Sequence, residues 1–351
     1  MQQTYDIRKS YEANYHAGPQ LNGLSVECPS GSQKSFLSYS VRSRLGVAAG
    51  LLLNSKWIRA YSRLGFDLLT YKTVRSSHRP CYPLPNWVFV SDDGRVDGPI
   101  YVRDSPPKDP SQVSSAVCFG MPSMAPDVWR KDIEVSRKAL QSGQILIVSV
   151  VATPEPGWGV EEIGEDYARC ALWAKEAGAH VVEANLSCPN VCSAEGSIFR
   201  DPTLSQEVTE MIRSRIGTLP LVLKIGYFED ESELCAFLSQ VAPVADGVTM
   251  VNGVTRPVLN RDGSPVFGPQ YEQAGVLGRT IHGVSLASVA AAREHIRTRG
   301  LGLSVLGVGG ASSVEGIGDF FQSGADAVML GSSPMYLPTL ARDAKLESKD
   351  W

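Results

Sequence analysis

The sequence predicts an α/β protein whose architecture is a (β/α)8 barrel, in which parallel strands alternate with an outer ring of helices. Three observations predict it. Short β-branched apolar runs alternate about eight times with segments of helical period. Several of those runs are apolar almost throughout rather than strictly alternating, as suits strands buried on both faces of a parallel sheet. Glycines or prolines sit at many of the junctions, among them Gly143, Gly178, Pro220, Gly302 and Gly324, where helix exits need them. A doubly wound open sheet is the competing arrangement of the same pattern.

The strand-like runs are LGVAAG (45–50), FDLLTYK (66–72), ILIVSVV (145–151), HVVEANL (180–186), LVLKIG (221–226), GVTMVN (247–252), LSVLGVG (303–309) and AVMLGS (327–332). Between them, Ile163, Tyr167, Cys170, Ala171 and Ala174 form one helical stripe, with Glu165, Asp166, Arg169 and Lys175 turned toward water. Thr203 with Gln206 has capping-box spacing ahead of a buried face made by Leu204, Val208, Met211, Ile212 and Ile216. Ser312 with Glu315 has the same spacing before a helix expected over 313–323.

Two stretches interrupt the repeat. Residues 75–115 are rich in Pro, Ser and Asp, contain one short strand-like run (NWVFVS), and read as an excursion built of a small hairpin and loops. A second polar insertion, 256–275, follows the sixth strand. The expected organisation is an N-terminal extension (1–35) packed on the barrel, a single barrel domain (36–342) and a C-terminal tail (343–351).

The 351 residues carry 33 Lys and Arg against 37 Asp and Glu, a net charge of −4, which argues against a nucleic-acid binder that works by neutralising phosphates. No apolar run reaches the ~20 residues of a membrane span, and the first twenty residues lack a signal-like apolar region. Seven unpaired-looking cysteines fit a reducing compartment, so a cytoplasmic protein that acts on a small molecule is expected.

Chemistry-capable residues cluster at one end of the repeat. Lys72, Asn185, Cys188, Lys224, Asn252, Gly309 with Gly310, and Gly331 with Ser332 all fall at or just past a strand's carboxyl end, where barrel active sites are built. GVGG (307–310) and LGSS (330–333) each end a strand and precede a helix, so their backbone N–H groups form an anion cradle at the usual phosphate corner. Cys188 lies in a polar, prolyl loop and could act as nucleophile or general base; inert packing is the plainer alternative. Cys188 and Cys192 lack the further ligands of a metal site. Lys72 and Lys224 read as cations facing developing negative charge, or as salt-bridged barrel lysines. The five histidines show no triad or metal spacing.

ANLSCPN (184–190), with TYK upstream and VLK, VNG, GVGG and LGSS downstream, resembles the dihydroorotate dehydrogenase family in collinear order from about residue 36 to 336. The resemblance implies an FMN-dependent barrel that oxidises dihydroorotate to orotate in pyrimidine biosynthesis. The cysteine in this motif is similar to that of the soluble class, often homodimeric. It further implies Cys188 as the base, with hydride passing to flavin N5. Asn185, Asn190, Asn252 and Lys72 would hold substrate, with Phe119, Gly120 and Met121 lining its pocket. Flavin contacts would come from Ala48, Ala49, Gly50, Lys72, Thr73, Asn185, Lys224, Val251 and Gly278, and phosphate contacts from Gly309, Gly310, Gly331 and Ser332.

Three positions depart from the family pattern. Val117 stands where an asparagine opens the substrate loop, Gly253 where Ser or Thr follows Asn252, and Val47 where the first-strand motif has an asparagine. Losing two substrate hydrogen-bonding groups while keeping the flavin set points to the same chemistry on another cyclic amide or a specialised metabolite as an alternative. A flavin-free phosphate-binding isomerase or lyase, with Lys224 or Lys72 as a Schiff-base lysine, is a second alternative. A non-catalytic binding barrel is a third. The electron acceptor leaves no sequence signal.

Overall fold

The computed structural model describes residues 3–29, 33–187 and 197–351. Eight parallel strands close into a barrel in chain order: β1 (Leu45–Val47), β2 (Leu68–Val74), β3 (Ile145–Val150), β4 (Val181–Asn185), β5 (Leu221–Lys224), β6 (Gly247–Met250), β7 (Ser304–Val308) and β8 (Ala327–Leu330). β8 pairs back onto β1, so the sheet has no free edge. Seven of the eight apolar runs read from the sequence contain one of these strands, and the second, 66–72, overlaps a strand that continues to Val74.

Alternation along the strands sorts their side chains into two cores. Leu69, Tyr71, Leu146, Val148, Val182, Ala184, Leu223, Val248, Val305 and Val328 face outward onto the helix layer. Ala48, Leu68, Ile145, Ile147, Val181, Val222, Leu306, Val308, Ala327 and Met329 face the lumen, joined by Phe36 and Val41. Those last two come from a short hairpin, Lys34–Phe36 with Tyr39–Val41. Because both faces are buried, the strands read as continuous apolar runs, and a charged residue within one stands out.

Helix details differ from the sequence reading at three places. The helix Pro202–Ile216 is capped by Asp201, whose carboxylate accepts from the Leu204 N–H at 3.0 Å; with Pro202 in its first turn, the start lies before Thr203. The helix Val314–Gln322 is capped by Ser313, which accepts from the Gly316 N–H, and not by Ser312. Asp166, expected at the surface of helix Val160–Glu176, is buried and accepts from Ser76 Oγ and the Thr153 N–H, both at 2.8 Å. It anchors the chain after β3 to the chain after β2.

A five-stranded sheet is built from the two interruptions together. Its order is Trp87–Phe89, Ser114–Val117, Gln273–Gly278, Val254–Leu259, Ile100–Tyr101. Residues 75–115 pair partly among themselves, Trp87–Phe89 running antiparallel to Ser114–Val117, and partly with the second insertion about 160 residues later, as Val117 does with Gly275 and Ile100 with Val258. Arg256, 1% exposed, pins the assembly: its guanidinium bonds both Asp93 carboxylate oxygens at 2.9 and 2.8 Å and the carbonyls of Arg95, Gly98 and Pro99. The Arg256 hydrogen bonds hold the Asp93 carboxyl down at about 2.

At the opposite end of the barrel, Asp67 is fully buried and accepts from Arg42, Ser43, Gln144 and Lys345. Lys345 belongs to helix Leu340–Glu347, so the C-terminal residues are tied to the barrel floor. No helix among the described residues is long and apolar enough to cross a membrane.

Candidate active site

The carboxyl ends of the strands open onto two adjoining cavities. The larger encloses about 940 Å³ and is lined by Ala48, Ala49, Gly50, Lys72, Thr73, Phe119, Met121, Asn185, Lys224, Asn252, Gly331 and Ser332, all expected from the sequence. The smaller, about 450 Å³, is lined by Val251, Gly278, Gly309 and Gly310. Asn252, Leu277, Val308, Gly331 and Ser332 line both, so the cavities share a wall. Cys188 and Asn190 lie outside the described residues. Gly120 is not in the lining: a Cβ there would come within 2.4 Å of the Tyr82 ring.

Local backbone geometry explains how neighbours in sequence reach one cavity. The β2–β3 register slips between Tyr71 and Val74, and this bulge lets adjacent Lys72 and Thr73 both line the cavity. Lys224, 3% exposed at the end of β5, reaches over to donate to the Ala49 carbonyl at 3.2 Å, tying β5 to the chain after β1. Asn185 is held through its backbone carbonyl, which accepts from Tyr167 Oη at 2.8 Å. Asn252 Nδ2 donates to Asn185 Oδ1 at 3.4 Å and to the Ser187 carbonyl. The two amide side chains are thus fixed side by side.

The glycines divide into two kinds. At Gly309, Gly310 and Gly278 an added Cβ would meet protein atoms at 2.1, 2.6 and 2.3 Å, so glycine there allows close chain packing. At Gly50 and Gly331 it would meet nothing within 4 Å, although both line the larger cavity. These two glycines keep space that the protein itself does not fill. Ser333 Oγ, beside Gly331 and lining the smaller cavity, is buried with no hydrogen-bond partner among the described residues. A flat ring in the larger cavity and an anionic tail in the smaller suit this donor set and this free space.

Of the roof, Phe119 and Val117 were expected from the sequence, and Tyr5, Tyr11 and Trp87 were not. Tyr5 and Tyr11 come from the N-terminal segment, and Trp87 and Val117 from the five-stranded sheet. With Phe119 they form an aromatic cluster: Trp87–Phe119 centroids are 5.9 Å apart, Tyr5–Trp87 5.9 Å and Tyr11–Phe119 6.5 Å. Thr4 holds the segment down through its N–H to the Met335 carbonyl and its hydroxyl to Tyr61 Oη. Burial pushes both phenols up, so Tyr5 and Tyr11 are neutral walls. Burial likewise pushes the Cys81 thiol up to about 12, which leaves it protonated and unreactive. Their only sequence signal is tyrosine recurring in an otherwise polar N-terminal stretch.

Residues 113–343 match the family model for dihydroorotate dehydrogenase. The chain is 32% identical over 360 residues to the dihydroorotate dehydrogenase of Dictyostelium discoideum, covering 96% of this chain and 95% of that protein. The chain belongs to the dihydroorotate dehydrogenase family. Membership makes it an oxidoreductase acting on CH–CH bonds, from a family that is generally flavin-dependent. More distant relatives include the catalytic subunit of a dihydroorotate dehydrogenase B (NAD(+)) from Staphylococcus carnosus, 24% identical over 60% of this chain and 64% of the relative. A putative dihydroorotate dehydrogenase A (fumarate) from Aeropyrum pernix is 24% identical over 58% of this chain and 61% of its own length. Those names differ in the electron acceptor, so within this family the acceptor does not follow from the barrel.

Proposed function

We propose that this chain oxidises dihydroorotate to orotate, with FMN as its resident cofactor. The observation that carries the reading is the pair of joined cavities, with Lys72 and Lys224 on the floor of one and the glycine cradle in the other. Ala48, Ala49, Gly50, Lys72, Thr73, Asn185, Lys224 and Val251 would hold the ring system, and Gly278, Gly309, Gly310, Gly331 and Ser332 the ribityl phosphate. Bound FMN supplies the two-electron acceptor for the hydride leaving the substrate.

The chain's own groups orient the substrate and move its proton. Asn185 and Asn252, held amide to amide, present donors and acceptors to a cyclic amide, with Asn190 and Lys72 completing the set. Phe119 and Met121 wall the pocket. The Cys188 thiolate takes the proton from the carbon α to the carbonyl as the C–C bond is desaturated. Lys224 stabilises negative charge that gathers at the cavity floor.

A second reading rests on Val117, which presents an apolar wall beside Tyr5, Tyr11 and Trp87 where the family pattern read from the sequence has an asparagine. It keeps the same chemistry and moves it to a cyclic amide with a less polar substituent. Anaerobic mixing of the purified protein with substrate decides. The protein should be yellow, release FMN and bleach with dihydroorotate, and Cys188→Ser should slow bleaching at neutral pH at least a hundredfold while FMN stays bound. Bleaching by a related lactam alone selects the second reading. Colourless protein, or full-rate bleaching in the variant, overturns the flavin or the base assignment respectively.

A further inference from the structure

The eight barrel strands contain three formally charged side chains: Lys72, Glu183 and Lys224. All three are buried, at 7%, 1% and 3% exposure, and all three have lumen parity. Glu183 lies between Val181, a member of the lumen core, and Asn185, which lines the larger cavity. Its carboxyl therefore sits one layer below the cavity floor. The flanking strands bring Ser149 and Val222 level with it, and Lys224 two residues past Val222. Strand spacing and rise put the Glu183 and Lys224 backbones about 8 Å apart. Glu183 Oε1 has no hydrogen-bond partner among the described residues, nor have Thr70 Oγ1, in register with Val181 through Ile147, and Thr249 Oγ1, in register with Lys224.

Buried charges persist in proteins when opposite charge compensates them. Among the described residues the barrel strands bring two lysines and one glutamate to the lumen, a formal charge of +1 before any ligand enters. We infer that Glu183 is the counter-ion that sets this charge: its carboxylate offsets one lysine, leaving the site matched to a ligand with a single negative charge over the strand ends. Glu183 is then a positioning residue that acts through Lys72 and Lys224 and touches neither substrate nor cofactor. The inference rests on the functional reading above, and it extends it by naming the group that limits how strongly the two lysines attract an anionic ring compound.

A ligand over the strand ends lies beyond the lysines, about 12 Å from the Glu183 carboxyl, and removing a unit charge at that distance, at an effective dielectric of about 20, corresponds to about tenfold in anion affinity. Wild-type and Glu183→Gln holoenzymes are compared by dye-equilibrated flavin potential and by titration with orotate and uncharged uracil. The expected result for the Gln variant is about tenfold greater preference for reduced flavin, about 30 mV more positive for a two-electron couple. Orotate should bind about tenfold tighter, with uracil within threefold of wild type. A potential within about 14 mV of wild type (threefold for a two-electron couple), or equal shifts for orotate and uracil, overturns the inference. Glu183→Met, which has no polar atom to satisfy, carries the test if the Gln variant does not fold. Dye equilibration needs flavin but no dihydroorotate, so failure of dihydroorotate to bleach the wild type counts against the functional reading alone. Protein that binds no flavin overturns both.

Discussion

Gly331 separates a glycine kept for a ligand from a glycine kept for packing. Gly331→Ala places a methyl group where no protein atom lies within 4 Å, at a residue whose φ is not left-handed. The folded protein has nothing to lose there. The unfolded chain loses backbone freedom, so apoprotein stability should rise by about 0.4–1 kcal/mol. In the functional reading, the same methyl group enters space that FMN occupies, and displacement by one carbon should weaken binding at least tenfold, about 1.4 kcal/mol. Gly278→Ala is the control with the opposite signature. Its Cβ would lie 2.3 Å from the Val113 carbonyl oxygen at a φ of 89°, so folding itself should lose on the order of 3 kcal/mol. Thermal melting of apoprotein and quenching of flavin fluorescence on titration read the two quantities separately. Unchanged FMN affinity in Gly331→Ala, with the apoprotein folded, would refute the assignment of this cradle.

Two further perturbations test the frame that holds the site. Lys345→Met leaves the fully buried Asp67 with Arg42 as its remaining cation and should cost about 3 kcal/mol in urea unfolding; a loss under 1 kcal/mol would show that the C-terminal helix does not anchor the barrel floor. Asp93 is lowered from 3.8 to about 2 by Arg256, so its contribution is complete above about pH 4 and disappears as pH falls through about 2. That contribution is of order 1 kcal/mol after solvent screening, and Arg256→Leu should flatten the melting-temperature profile between pH 4 and 2; a retained slope would assign it to other carboxylates.

Much of the barrel was legible because its strands are buried on both faces. That environment demands near-continuous apolar sequence, against which Lys72, Glu183 and Lys224 are the charged exceptions. The first and last of these were read as chemical from their place at strand ends. Glu183 escaped notice because it lies mid-strand, where a polar residue signals nothing without knowledge of what shares the lumen. The rest of the roof was illegible for a different reason. Trp87 pairs with Val117, and Val117 in turn with Gly275, across separations in sequence that no local period reports. Tyr5 and Tyr11 lie ahead of the first barrel strand, in a segment with no repeat to align against. The helix starts shifted by one or two residues because Asp201 and Ser313 compete with Thr203 and Ser312 for the same cap, and φ fixed by Pro202 decides the first case.

Floor and roof of the site differ in what they can recognise. Among the described residues lining the two cavities, Lys72 and Lys224 are the charged ones, and both belong to barrel strands. The roof is made of neutral phenols, an indole, Phe119 and Val117, supplied by the N-terminal segment, the five-stranded sheet and the loop that follows its Ser114–Val117 strand. Charge recognition is therefore fixed by the barrel, where a change in one buried ion unbalances the others. Shape recognition is delegated to segments outside it, where a side chain can change size without disturbing the ions beneath. In the proposed function, a departure such as Val117 would alter which substituent fits while leaving Lys72 and Lys224 in place. For this architecture, substrate scope and redox chemistry can diverge independently.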